Sequence, residues 1–169
     1  MRSLDLANFV RSAVGALVLT GSGVSMAAAA PIEGTWLAPR QAEITVVPCG
    51  SDYCGELSWI VIPTEHSAEC RADKAKFESE MLDYQNPNPA MRSRSLIGLQ
   101  MMTLTPTNDP NRYDVHIYNT EDGKSYDGAA VVAGDTLNLQ QCMGAEMCMT
   151  VQSWPRLPTR PGTPGFTCG

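Results

Sequence analysis

Positive charge is scarce in this sequence. Twelve Lys and Arg residues stand against 18 Asp and Glu residues, giving a formal net charge of −6 at pH 7, and no basic run is present. A nucleic-acid-binding protein gains most of its affinity from cations that neutralise phosphates. From residue 30 onward there is also no run of about 20 apolar residues, the length of a membrane-spanning helix. The sequence therefore argues against a nucleic-acid partner and predicts no transmembrane segment in the mature chain.

Residues for metal binding and base catalysis are equally few. The two histidines are His66 and His116, and the chain after residue 30 contains no C-x-x-C, H-E-x-x-H or G-x-S-x-G motif. His66 and Cys70 stand four residues apart and could face one metal ion, but a cysteine in a disulfide is not a thiolate ligand. We therefore expect neither a metal site nor a cofactor.

Carboxylates remain as candidates for hydrolysis. A glycosidase needs two carboxyl groups a few ångströms apart, one of them with a raised pKa, and Asp83, Glu121 and Asp122 fit by residue type alone. Acidic residues in turns more commonly bind their own backbone or water. A carboxylate-dependent hydrolase is therefore an alternative, and the sequence favours a protein that is not an enzyme.

The amino terminus has the three parts of a secretory signal. Two arginines precede a small, apolar stretch over residues 12–24, and residues 25–30 supply the small side chains that signal peptidase requires. We expect a signal peptide over residues 1–29, with the mature chain beginning at Ala28 or Ala30. The protein is accordingly expected to be exported, to the periplasm or the extracellular space.

All six cysteines follow this segment, and an even number in an exported chain indicates disulfides rather than a metal site. Six cysteines allow 15 pairings, and spacing alone does not choose among them. Turn geometry favours two tight loops between strand-like segments, and the third, long-range pair follows by elimination. The predicted pairs are Cys49–Cys54, Cys142–Cys148 and Cys70–Cys168.

Apolar residues alternate with polar ones in short segments separated by Gly, Pro, Asn and Asp, the pattern of antiparallel strands. In one segment Leu57, Trp59 and Val61 would share a face. We count eight segments, seven of which can join the next through a short connection. Eight antiparallel strands can close into a barrel, which leaves no open edge, and a β-sandwich remains the alternative.

A connector over residues 63–95 separates the third and fourth strands. It is rich in charged residues and turn formers, and residues 68–82 could form one exposed helix. The Asn86-Pro87 pair would end it, because a residue before proline disfavours the helical conformation.

Residues 155–169 contain four prolines and three glycines. This composition predicts an irregular tail held by Cys168. We therefore expect one barrel domain over residues 30–156 and a Pro/Gly-rich tail over residues 157–169.

Five groups of residues recur in the order and spacing of a known family. They are Gly34-Thr35-Trp36; Cys49 to Cys54-Gly55 with Trp59; Asp83-x-x-Asn86-Pro87 with Arg92-x-Arg94; Tyr118 with Glu121-Asp122-Gly123-Lys124-Ser125-Tyr126; and Cys142 to Cys148 with Gln152-Ser153-Trp154. The set resembles the uncharacterised exported family called domain of unknown function 2147. The resemblance implies an all-β, eight-stranded antiparallel lipocalin-like barrel with one helical or loop insertion between the third and fourth strands. It carries no established activity.

One polar cluster is a candidate binding site. Arginine presents a planar fork that suits carboxylates, so Asp83 with Arg92 or Arg94 would fasten the connector to the barrel. Alternatively, the cluster would form a polar rim at the barrel mouth that holds an anionic or glycan ligand. Its members are Asp83, Asn86, Arg92, Arg94, Tyr118, Lys124 and Tyr126.

Several methionines follow the connector, and their thioethers suit Cu(I). Methionine also fills irregular cores, and Met147 and Met149 share one strand face. We predict that these side chains pack in the core. They are Met101, Met102, Met143, Met147 and Met149.

The function that the sequence favours is a non-enzymatic binding or envelope-interaction domain, whose partner is an envelope component or a small ligand. The alternative is a carrier of one small apolar ligand inside the barrel. The barrel interior discriminates between the two, because an open apolar cavity would favour the carrier. A packed interior would argue against the carrier, and the side chains expected to fill it are Trp36, Leu57, Trp59, Leu99 and Val131.

Overall fold

The computed structural model describes residues 29–144 and 147–169, so the predicted signal segment, apart from its last residue, lies outside the described residues. The described chain forms two short α-helices, α1 (Ser67–Ala72) and α2 (Lys74–Glu80), three single-turn 3-10 helices and nine strands. The strands are β1 (Gly34–Ala38), β2 (Ala42–Cys49), β3 (Asp52–Ile62), β4 (Gln100–Pro106), β5 (Arg112–Asn119), β6 (Lys124–Ala133), β7 (Thr136–Met143), β8 (Met147–Leu157) and β9 (Gly165–Cys168).

The strands β1 to β8 close into a barrel. Each pairs antiparallel with the next, and β8 returns to β1, where Trp36 lies opposite Arg156. The predicted fold, with its insertion between β3 and β4, is therefore confirmed, and the β-sandwich is excluded. Because successive strands alternate in direction, the connections β1–β2, β3–β4, β5–β6 and β7–β8 lie at one end, which we call the mouth.

The core lies inside the barrel toward the other end. Trp36 and Ile32 are fully buried there, and the indole Nε1 of Trp36 donates a hydrogen bond to the carbonyl oxygen of Ile32 at 2.9 Å. The guanidinium of Arg156, the residue opposite Trp36 in β8, lies 4.0 Å from the centre of the Trp36 ring. This end of the barrel is therefore filled by side chains.

A bulge in β3 contradicts one predicted strand face. Leu57 and Trp59 lie opposite consecutive residues of β2, so Ser58 is an extra residue, and its hydroxyl donates to the carbonyl oxygen of Glu43 at 3.0 Å. Beyond the bulge, the indole Nε1 of Trp59 donates to the hydroxyl of Thr167 in β9 at 3.0 Å. Leu57 and Trp59 do not share a face, because a bulge breaks the period of two.

The connector also differs from its prediction, because two helices replace the single helix expected over residues 68–82. Asp73 separates them with a non-helical backbone, and its carboxylate accepts a hydrogen bond from the backbone N–H of Lys76 at 3.0 Å. Aspartate is among the best N-cap residues. It therefore starts a second helix instead of continuing the first.

The carboxy-terminal segment contains a strand where an irregular tail was expected. β4 pairs with β3 only from Tyr53 to Glu56, and β9 pairs in parallel with the next part of the same β3 edge, from Trp59 to Ile62. An unpaired edge exposes a row of backbone donors and acceptors. β9 satisfies these groups, so this part of the tail is ordered.

Three disulfides connect the described chain. One closes the β2–β3 hairpin, one spans the β7–β8 hairpin near its tip, and the third joins α1 to β9. Their pairing is the one that turn geometry and elimination predict: Cys49–Cys54, Cys142–Cys148 and Cys70–Cys168.

Candidate functional site

The barrel contains a cavity of about 650 Å³ that reaches the mouth. Its lining is mainly apolar, and the polar side chains that touch it lie mostly at the rim. Two of the side chains expected to fill the interior, Trp59 and Val131, lie outside it. The apolar lining includes Ala42, Ile44, Leu57, Ile60, Met101, Val115, Ile117, Leu139 and Trp154.

An ion pair connects two loops of the rim. Arg40 in the β1–β2 loop contacts Glu121 in the β5–β6 loop, with 2.9 Å between Nη1 and Oε1. These loops come from opposite sides of the barrel, so the pair spans the mouth. Arg40 and Gln41 both have positive φ, at 59° and 60°, which non-glycine residues rarely adopt. The side chains of Arg40 and Glu121 are both largely exposed, so their ion pair contributes little to stability.

A second site, beside the mouth, is built around the buried carboxylate of Asp83. One oxygen accepts a hydrogen bond from the hydroxyl of Tyr118 at 2.7 Å. The other accepts from Asn86 Nδ2 and from Arg94 Nε, both at 2.8 Å, and Arg94 Nη2 lies 2.8 Å from it. Because Tyr118 belongs to β5 and the others to the connector, this network joins the connector to the barrel.

The network also controls the ionisation of Asp83. Burial alone would raise its pKa, but the hydrogen bonds from Tyr118, Asn86 and Arg94 together outweigh burial and hold the pKa below its ordinary value. The same contact acts oppositely on Tyr118, whose pKa is raised by burial and by the bond to Asp83. At neutral pH the carboxylate is therefore ionised and the phenol is protonated.

This arrangement predicts a specific acid sensitivity. A carboxyl group with a lowered folded-state pKa stabilises the fold fully above its unfolded-state pKa of about 3.9, and this contribution is lost as the pH falls toward the folded-state value. We expect the thermal midpoint of Asp83→Asn to fall less steeply below about pH 4 than that of the parent protein. Melting curves from pH 7 to pH 3 measure it, and parallel slopes would contradict this role of Asp83.

The β5–β6 turn presses directly on the Asp83 segment. Gly123 has φ +68°, and a Cβ atom added there would lie 1.9 Å from the carbonyl oxygen of Gln85. Only glycine permits this backbone approach. The turn and the connector are therefore fixed against each other beside Tyr118.

The structure brings together only part of the predicted cluster. Asp83, Asn86, Arg94 and Tyr118 bond one another, and Arg92 Nε donates to the backbone carbonyl of Asn86 at 2.7 Å. Lys124 and Tyr126 are exposed at the start of β6, and Tyr126, like Tyr118, also lines the cavity. Their described partner is Asp122, which accepts from the hydroxyl of Tyr126 and from the backbone N–H of Lys124.

The three candidate carboxylates have separate partners. Asp83 is held by the network, Glu121 by Arg40, and Asp122 by Tyr126. Among the described residues, no group of three or more His, Cys, Asp or Glu side chains is placed to hold a metal ion. Within the same residues, no helix combines the length and apolarity needed to cross a membrane.

The methionine prediction is correct for two side chains and wrong for three. Met102 is buried in the core, and Met101 packs against the core and lines the cavity. Met143, Met147 and Met149 are instead exposed, because the β7–β8 hairpin continues beyond the barrel. No sequence signal indicated where the barrel ends along these strands.

Comparison with known proteins agrees with the fold. A family described as "Uncharacterized protein conserved in bacteria (DUF2147)" matches residues 34–156. The solved structure of protein HP1028 from the human pathogen Helicobacter pylori, described as belonging to the lipocalin family, superposes with a TM-score of 0.54 at 18% identity, covering 74% of this chain and 82% of that chain. A search of curated proteins finds none that matches. At this identity, the likeness to the lipocalin concerns the fold alone.

Proposed function

The chain belongs to the bacterial family DUF2147, and we propose that it binds one small, mostly apolar molecule inside its barrel. The observation that carries this proposal is the cavity of about 650 Å³. Sites for small molecules commonly have volumes of roughly 300–1,000 Å³, apolar walls and a few polar groups. The cavity therefore supports the carrier, the alternative in the sequence analysis, over a surface that acts only by envelope interaction.

The distribution of polar groups orients the proposed ligand. Deep in the barrel the lining consists of side chains such as Leu57 and Val115, whereas Asn119, Glu121 and Gln141 line the cavity toward the mouth. A buried polar group without a partner costs free energy. The apolar part of the ligand therefore lies inside, and any polar part lies at the mouth.

We assign the Asp83 network to structure rather than to ligand binding. The Asp83 side chain is fully buried, and each of its oxygens already accepts from protein donors. In this proposal the network holds the connector, so that Pro63 and Leu96 complete the wall of the cavity. The polar-rim interpretation, with an anionic or glycan ligand, has less support.

A volume-filling substitution tests the ligand site. Ala42 lines the cavity and is half-buried, so Ala42→Trp should reduce binding of the apolar fluorescent probe N-phenyl-1-naphthylamine at least about tenfold, which corresponds to 1.4 kcal/mol. Ala133→Trp makes the same change at an exposed position at the other end of the barrel and should bind the probe like the parent protein. Unchanged binding by Ala42→Trp, with a normal thermal midpoint, would refute the proposal.

We also propose that the protein acts in the periplasm or outside the cell, as one barrel domain released from a signal over residues 1–29. The disulfides and the bacterial family are consistent with export. Amino-terminal sequencing of the protein from its own cells tests this, because a chain that begins at Met1 would refute it. Native mass spectrometry of the same sample would reveal a retained ligand.

A further inference from the structure

The β7–β8 hairpin continues beyond the barrel mouth as a two-stranded ribbon. β6 pairs with β7 only as far as Gln140, and β1 pairs with β8 only at Arg156 and Leu157. The outer part of the hairpin therefore pairs only within itself. The Cys142–Cys148 disulfide joins two directly opposed residues and fixes the register of the ribbon.

Three methionines lie on one face of this ribbon. Met143 is directly opposite Met147, and Met149 follows two residues later. Since side chains alternate between the faces of a strand, the disulfide lies on the opposite face. Met143 has the same orientation along β7 as Leu139, which lines the cavity. The methionine face therefore extends the inner surface of the barrel beyond the mouth.

The three thioethers are accessible and close together. Met143, Met147 and Met149 are 65%, 58% and 61% exposed, respectively. Directly opposite residues have Cβ atoms about 4.5–5.5 Å apart, and diagonal neighbours about 7–8 Å apart. Methionine has three rotatable side-chain bonds. The three sulfur atoms can thus converge on a single ion.

We propose that Met143, Met147 and Met149 form a three-sulfur site for a soft monovalent cation, Cu(I) or Ag(I). Thioethers are soft ligands that select Cu(I), whereas Zn²⁺ in structural and catalytic sites relies on cysteine thiolate, histidine and carboxylate. The structure describes no free cysteine thiol. A thioether neither forms a disulfide nor titrates, so the site suits an oxidising compartment and binds independently of pH.

Silver provides the test, because Ag(I) is soft, monovalent and redox-inert. In chloride-free buffer, one equivalent of Ag(I) should shift the methyl NMR signals of Met143, Met147 and Met149 in protein labelled at the methionine methyl groups. Met91, an exposed methionine in the connector, should not shift. The affinity should be equal at pH 6 and pH 8, and Zn²⁺ should not compete.

Leucine substitutions test whether the sulfur atoms are required, because leucine keeps an apolar side chain of similar size but has no sulfur. The triple variant Met143→Leu, Met147→Leu, Met149→Leu should lose at least about tenfold in Ag(I) affinity, while Met91→Leu should bind like the parent protein. Binding of N-phenyl-1-naphthylamine should be unchanged in the triple variant, so the result is independent of the proposed cavity function. Unchanged Ag(I) affinity in the triple variant, or an equal shift at Met91, would overturn the proposal.

Discussion

Gly123→Ala is expected to lower the free energy of unfolding by about 2–5 kcal/mol. Two costs add at this position. The positive φ of 68° costs an L-residue about 1–2 kcal/mol. The new methyl group would also lie 1.9 Å from the carbonyl oxygen of Gln85, and forcing such a contact apart costs about 1–3 kcal/mol or more. Denaturant unfolding of both proteins measures the difference.

Gly134→Ala is a matched control, because Gly134 shares the positive φ of Gly123 but not its close approach to another backbone atom. It lies in the β6–β7 turn with φ +59°, and no atom lies within 4 Å of an added Cβ. Gly134→Ala should therefore cost only the backbone contribution, about 1–2 kcal/mol. Equal losses for the two variants would show that the approach of the turn to Gln85 adds nothing to stability.

The barrel could be predicted because it depends on a local property of the sequence. A strand with one face inside a barrel alternates apolar and polar residues, and β5 does so through Tyr113, Val115 and Ile117. The turn at Asp122-Gly123 is equally local, because only a few residue types adopt a positive φ. These signals need no knowledge of distant parts of the chain.

Most departures from prediction depend on other parts of the chain, whereas the division of the connector into two helices at Asp73 has a local cause. The bulge at Ser58 and the strand β9 are each defined by pairing with residues far away in sequence. The exposure of Met147 follows from where β1 and β6 cease to pair with the hairpin. Hydropathy marks these residues as apolar without indicating where the barrel ends.

The candidate site could be predicted only in part, because its geometry also depends on how other parts of the chain come together. Residue chemistry left the partner of Asp83 open between Arg92 and Arg94, and the structure selects Arg94. Tyr118, already a member of the predicted cluster, donates to Asp83 and links the network to β5. Lys124 and Tyr126 are near in sequence but belong to the exposed start of β6. The cavity depends on the combined size of side chains from many strands, so its volume could not be derived from the sequence.

Asp83→Ala is expected to destabilise the protein by about 3–4 kcal/mol, because removal of one partner from a buried pair leaves the other uncompensated. The lower part of the usual range applies, since the side chain of Arg94 is 34% exposed and water can solvate the freed charge. The Tyr118 hydroxyl and the Asn86 amide also lose their acceptor. Thermal and denaturant unfolding at pH 7 measure the loss.

A double-mutant cycle with Arg94→Lys then tests how the network acts. Lysine keeps the charge but loses the two-pronged contact with the Asp83 carboxylate, so the single change should cost about 1–3 kcal/mol. The double variant should be less destabilised than the sum of the two, because both remove the same interaction. Each variant, compared while folded, should bind N-phenyl-1-naphthylamine like the parent protein, as expected if the network fastens the connector. Additive losses would contradict the pairing, and loss of probe binding at unchanged stability would instead assign these residues to the ligand.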